Sequence, residues 1–385
     1  MKKNDSSKKK FSPAQIIPLA LGLIVGIVAG TSGAATIDAM SGGNDALFFA
    51  YLGVLMAGLI LAFPVQIVLH EGGHLVAGLM SGYSFVSFNI LGFIWQRDAE
   101  GKLRMGRMQI AGAGGQCLMA PPEYNGGDFP FTLYNLGGAL VNLITAAIFG
   151  LLAWLIPSAP LRLLLIPEAL VGVMFAILNG LPLPVLHLQN DGTNLLCIRR
   201  DAHARRAFWV QMSIAAAAAR GVRMKDMPED WFAPFPDEAM DNPIVCAVAV
   251  MNTSRLIDQM NFGAAEEAIC TLLSRQKGVL GLYRASMACD GAVCELIAGR
   301  PGAITAILGE QEIQQILTAM KAHPAVLRTQ YALALLKDRD ADKAQALLDR
   351  FDAAARKHPN PQEITGEREL LQAIRSAAQK GGAAE

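Results

Sequence analysis

The sequence predicts an α-helical polytopic membrane protein, with about four transmembrane helices and a membrane-surface β-hairpin, joined to a C-terminal all-α helical-repeat domain. Three observations carry that prediction. Of 385 residues, 52% are hydrophobic and only 17% charged, whereas an ordinary soluble domain is about one quarter charged. Long uncharged stretches crowd the first half of the chain. Beyond about residue 243 the pattern changes to alanine-rich segments with charges at helical spacing.

Residues 14–37, 46–69 and 131–156 hold no charged side chain, and each is long enough to cross a hydrocarbon core of about 30 Å. Residues 163–183 form a fourth such stretch, interrupted only by Glu168. The basic order at Lys2, Lys3, Lys8, Lys9 and Lys10 is that of a signal peptide, but the apolar run behind it is too long for one and is read as a retained helix. Four spans put both termini on one side. Basic residues precede span one, lie between spans two and three (Arg97, Lys102, Arg104, Arg107), and follow span four (Arg199, Arg200, Arg205, Arg206), while the outer loops hold only Arg162. The positive-inside rule makes the basic segments cytoplasmic. The expectation is an integral protein of a bacterial cell membrane with both termini in the cytoplasm.

The organisation read from this is a basic tail (1–13), a transmembrane core (14–226), a proline-studded acidic linker (227–243) and a cytoplasmic helical-repeat domain (244–385). Within the core, residues 85–96 and 103–118 are rich in β-prone residues and flank the polar turn Arg97-Asp98-Ala99-Glu100-Gly101, which predicts the hairpin. In the distal domain the pairs Ala265 and Ala268, Ala303 and Ala306, and Ala341 and Ala344 recur at equal intervals, with Leu272 and Leu348 at matching offsets. They resemble degenerate tetratricopeptide-like hairpins.

Formal net charge is zero, and no basic arm interleaved with aromatics appears, so a nucleic-acid partner is not expected. The six cysteines form no Cys-x-x-Cys pair and read as reduced thiols. The basic run from Arg199 to Arg206 suits anionic lipid headgroups of the bilayer.

The chemistry concentrates at His70-Glu71-Gly72-Gly73-His74. Residues four apart share a helix face, so His70 and His74 can aim imidazole nitrogens at one ion, and zinc (Zn2+) suits them. Glu71 is placed beside such an ion without ligating it, where it can act as the catalytic general base. Titratable groups at the end of an apolar span cost a few kcal/mol each on insertion and persist where they have a partner or a task. A catalytic zinc needs a third protein ligand. His187 and Asp191, both near the inner end of span four, are the candidates.

A His-Glu-x-x-His in an apolar helix, followed at long range by Asn179-Gly180-Leu181-Pro182 and Asp191-Gly192, resembles the site-2 protease family over about residues 46–200. The resemblance implies that Asp191 completes a zinc site with His70 and His74. It also implies a substrate-binding role for Asn142, which ends the small-residue stretch Gly137-Gly138-Ala139-Leu140-Val141-Asn142. Asn179 reads either as a second polar substrate contact or as a cap for the end of span four. Two departures stand out: Val185 to Asn190 separate the prolines from the aspartate, and Gly138 replaces the family's proline.

The expected activity is hydrolysis of peptide bonds in a transmembrane or membrane-associated protein or peptide, near the cytoplasmic face, with a regulatory protein bound by the C-terminal domain. The rival reading is a non-catalytic membrane scaffold that recruits partners through that domain. A transporter is disfavoured because spans one and three carry few polar residues.

Overall fold

The computed structural model describes residues 13–97, 101–107, 114–125, 127–183, 190–275, 277–358 and 360–382. Apolar sequence without breakers becomes long helix: α1 (Pro13–Ser41), α2 (Asp45–Met80), α3 (Phe131–Leu155) and α4 (Ala159–Gly180). Each is long and apolar enough to cross a membrane. Asn44 starts α2 by accepting the Leu47 N–H with its side chain, an N-cap bond worth about 1 kcal/mol. The sequence reading ended this span at residue 69, yet α2 continues through 36 residues, about 54 Å of helix. Nothing in residues 75–80 breaks it; the stop comes at Ser81 and at Gly82, whose φ of 82° favours glycine. His70 therefore lies inside a helix rather than at its end.

Helices α2, α3 and α4 pack against one another, and α1 leans on α2 and α4. Small residues permit the approach. A Cβ on Gly58 would come within 2.9 Å of the Leu163 carbonyl, and one on Gly172 within 3.1 Å of the Gln66 amide oxygen. Apolar side chains such as Leu23, Ile60, Ile144, Leu151 and Trp154 point outward, while Gln66, His70, Glu71, His74, Asn135 and Asn142 are buried. That distribution reverses the pattern of a soluble bundle.

The expected two-stranded hairpin is instead a four-stranded antiparallel sheet: β1 (Ser84–Ile90), β2 (Phe93–Arg97), β3 (Leu103–Arg107) and β4 (Gly115–Ala120), in the order β3-β2-β1-β4. Leu91 and Gly92 both have positive φ, 51° and 85°, so the chain reverses there and the first predicted strand divides in two. Strand β2 pairs with β3 around the polar turn as foreseen, and β1 pairs with β4 from Ser84 opposite Ala120 to Ile90 opposite Gly115. Gly112 lies outside the described residues. Helix α5 (Asp191–Arg200) completes this part of the chain.

A second compact unit takes in residues 93–108, with β2 and β3, residues 123–128, and the chain from Asp201 onward, which forms helices α6 (Ala202–Ala219), α7 (Pro243–Asp258), α8 (Phe262–Leu273), α9 (Gly281–Ile297), α10 (Ala303–Ile307), α11 (Gln311–Ala319), α12 (Pro324–Ala332), α13 (Ala341–Ala355) and α14 (Pro361–Gly382). Side-chain caps begin several of them: Asp201, Asn242, Asn261 and Asp340 each accept a backbone N–H of the first turn. Residues 227–243, expected as a linker, contain the short 3-10 turns Glu229–Phe232 and Asp237–Asp241 and bury Met227, Phe232 and Met240. Gln211 donates to the Ile244 carbonyl, and Arg223 is ion-paired with Asp258 and Glu369. The segments on both sides of that stretch are thus bonded into one unit. Among the described residues from 201 on, the named elements are helices without strands, as the sequence reading expects. The alanine pairs do not pack alike: Ala265 and Ala344 are buried, whereas Ala303 and Ala306 are exposed.

Candidate metal centre

Four residues apart on the inward face of α2, His70 and His74 bring their Nε2 atoms within 3.2 Å of each other. Asp191, first residue of α5, places Oδ2 at 3.2 Å from each of those nitrogens. The three predicted ligands thus converge, although more than a hundred residues separate Asp191 from the histidines. His70 and His74 are each only 7% exposed.

The neighbours decide where the protons sit. His74 Nδ1 lies 2.8 Å from the Tyr134 carbonyl oxygen, which can only accept, so Nδ1 carries the hydrogen. His70 Nδ1 lies 2.7 Å from Asn142 Oδ1. The Asn142 amide is oriented by its own donations, Nδ2 to the Gln66 carbonyl at 3.0 Å and to Gln66 Oε1 at 2.8 Å. Its Oδ1 is therefore an acceptor, and His70 donates through Nδ1. Both Nε2 atoms are left as lone pairs facing a carboxylate oxygen that is buried without a hydrogen-bond partner. Three acceptors and no donor repel one another.

A cation would resolve that conflict. His70, His74 and Asp191, whose acceptor atoms form a triangle with edges of 3.2 Å, would be the residues that hold it, and a zinc ion there would supply Lewis acidity. The donor set of two imidazoles and a carboxylate fits the same metal.

Short-range sequence features deliver Asp191 to this place. Asn190 caps α5 by accepting the Thr193 N–H at 2.9 Å, and its Nδ2 donates to the carbonyls of Leu178 and Leu181 at 2.6 Å each. Helix α5 is thereby tied to the end of α4. Gly192 makes the contact possible, since any side chain there would run into the backbone of Gly180 and Leu181. The rival ligand His187 lies outside the described residues.

Glu71, 9% exposed, points toward β4, where the Cys117 backbone N–H donates to its carboxylate. A Cβ on Gly115 would sit 2.8 Å from Glu71 Cγ, so the strand needs glycine to pass. Burial first, then the nearby Glu71 charge, push the Cys117 thiol up to about 12; it stays protonated and is no rival nucleophile. Gly138, the residue that departs from the expected proline, lies over the imidazoles: a Cβ there would be 2.5 Å from His70 Cε1 and 2.6 Å from His74 Nε2.

Asn142 is fully buried, and its amide is committed to His70 and Gln66. The geometry makes it a positioning residue for the His70 imidazole. Asn179 donates within α4 to the Phe175 carbonyl. Four contributors were not foreseen: Gln66, Tyr134, Asn190 and Glu168, whose carboxylate receives Gln66 Nε2 at 3.1 Å. Glu168 ends a chain of hydrogen bonds running from His70 through Asn142 and Gln66. The available signal was spacing, because Gln66 stands one turn before His70 on the same face.

A scan against protein-family models gives no match, and neither do searches of the curated proteins and of the solved structures.

Proposed function

We propose that the protein is an intramembrane zinc metalloprotease that hydrolyses a peptide bond of a transmembrane or membrane-associated protein near the cytoplasmic membrane face. The observation that carries this reading is the set of three buried acceptor atoms, His70 Nε2, His74 Nε2 and Asp191 Oδ2, at mutual distances of 3.2 Å beside Glu71. Zinc, when held there, supplies Lewis acidity to the scissile carbonyl and to the attacking water. Glu71 accepts the water proton and returns it to the leaving amine. Asn142 and the Tyr134 carbonyl keep both imidazoles in the ligating tautomer.

Strand β4 ends the sheet and lies against Glu71, which supports a role for this edge in holding an extended substrate by strand addition. A helix must unwind before its peptide bond is accessible. The basic residues flanking the spans support the orientation with both termini in the cytoplasm, and the helical unit that follows is then a regulatory or docking module there.

The decisive experiment compares metal content and cleavage of candidate single-span proteins by the wild type and by Glu71→Gln. Zinc retained with cleavage lost is expected. Equal processing by the two proteins overturns the reading.

A further inference from the structure

Far from the membrane helices in sequence, the second unit gathers a different set of metal-ligating side chains. His323 is the N-cap residue of α12, His358 lies in the turn after α13, and Glu363 is in the first turn of α14. Each offers one ligand atom, and these atoms lie within 4.8 Å of one another. The two rings stand nearly perpendicular, at 87°, with centroids 6.1 Å apart, and His358 Nε2 is 3.7 Å from Glu363 Oε1.

The hydrogen bonds around the rings accommodate an ion. His358 Nδ1 sits 3.2 Å from the Asn360 carbonyl oxygen and 3.3 Å from the Asn360 N–H. With the proton on Nδ1, the ring donates to that carbonyl, gives up the longer contact from the Asn360 N–H, and turns the Nε2 lone pair toward Glu363, the arrangement in which metal-bound histidines are usually held. His323 Nδ1 accepts the Ala325 N–H at 3.3 Å, so ligation through Nε2 moves the ring proton to Nδ1 and gives up this long contact. Nearby charge favours a cation as well. Arg328 is already ion-paired with Asp290 and Glu367, which leaves Glu363 as surplus negative charge. The Glu363 side chain is 41% exposed, so an ion has a route from solvent and the carboxylate has room to close on it.

We propose that His323, His358 and Glu363 form a second divalent metal site, of the zinc type, which fastens the first turn of α14 to the start of α12. Two imidazoles and one carboxylate suit zinc, with water in the remaining position. Because α14 also supplies Glu367 to Arg328 and Glu369 to Arg223, occupancy at its first turn makes the rigidity of the whole unit depend on the ion. The site is an exchangeable metal input, separate from the buried centre on α2.

The test uses the full chain in detergent, stripped with a chelator and titrated with Co2+. Visible absorption and bound stoichiometry are followed, and thermal unfolding of the helical unit is then measured with and without Zn2+. Two ions per chain are expected for the wild type, and one each for His358→Ala, His323→Ala and His70→Ala. Zn2+ is expected to raise the unfolding temperature of the wild type and of His70→Ala, but not of His358→Ala. Glu363→Gln keeps the shape of an exposed side chain; it serves if a histidine variant folds poorly, and it too is expected to lose the second equivalent. The proposal is overturned if Glu363→Gln and His358→Ala bind as many ions as the wild type and keep the zinc-dependent shift. The two metal readings fail separately: a single ion removed by His70→Ala rejects this site, and a single ion removed by His358→Ala rejects the centre on α2.

Discussion

Two buried polar clusters, one in each half of the chain, are built on opposite principles. On α12, Arg328 is 1% exposed and donates to Asp290 at 2.7 Å while its Nε lies 2.9 Å from Glu367. The guanidinium meets opposite charge from within the protein, although its Nε and Nη1 and Glu367 Oε2 form no hydrogen bond. On α2, His70, His74 and Asp191 present three acceptor atoms to one point, with their donors turned away to Asn142 and Tyr134. Those three atoms bring no positive charge of their own. Burial of polar groups is common to both, and the sign of the missing charge separates a structural network from a site.

The comparison can be broken at either end. Glu71→Gln should lower cleavage by on the order of 10²–10⁴-fold, the usual worth of a positioned general base, while metal analysis finds zinc unchanged. Loss of zinc in that variant would mean that Glu71 belongs to the ligand set instead.

Arg328→Leu leaves two carboxylates buried without their partner and should cost about 3–5 kcal/mol of stability in the helical unit, read from denaturant unfolding. His70→Ala should destabilise far less, because the variant removes one of several mutually repelling acceptors. If the two changes cost the same in metal-free protein, the contrast between the clusters fails.

Asn142→Leu removes the acceptor that holds His70 and should weaken zinc binding about 10–100-fold, measured by competition with a chelator, with helix content unchanged by circular dichroism. Gln66→Leu acts one bond further out and should produce a smaller change in the same assay.

The smallest effect concerns pH. Burial first, and then the neighbouring Asp290 and Glu363 charges, raise the Glu367 carboxyl against the pull of Arg328, up to about 7. The folded value lies above the unfolded one of about 4.3, so the contribution of this group is fully present below the unfolded value and is lost as pH rises through about 7. Unfolding of the helical unit between pH 5 and 8 should therefore flatten in Glu367→Gln; an identical pH profile in both proteins would show that Glu367 is ionised throughout.

Much of this was legible in the chain. Uncharged runs located all four long helices, because a helix of sufficient length needs only apolar side chains and no breaker. His70, Glu71 and His74 were legible because helical spacing alone sets them on one face. Strand placement was legible less completely: β2 and β3 flank the polar turn as expected, but the reversal at Leu91 and Gly92 depends on backbone dihedrals that a run of β-prone residues does not signal. Gln66 escaped notice because an uncharged amide leaves an apolar span looking apolar.

By itself, then, the sequence determined the membrane-length helices, the helical second half and the histidine pair, all of which follow from patterns within a few turns of chain. Only the tertiary structure decided that Asp191 meets those histidines, that Asn142 and Tyr134 fix their tautomers, and that His323, His358 and Glu363 meet at all. Each of those facts depends on how separate helices approach one another, through contacts such as Gly138 over the imidazoles and Gly192 against Gly180. Distance in space between residues far apart in the chain is set by packing, and local spacing carries no record of it.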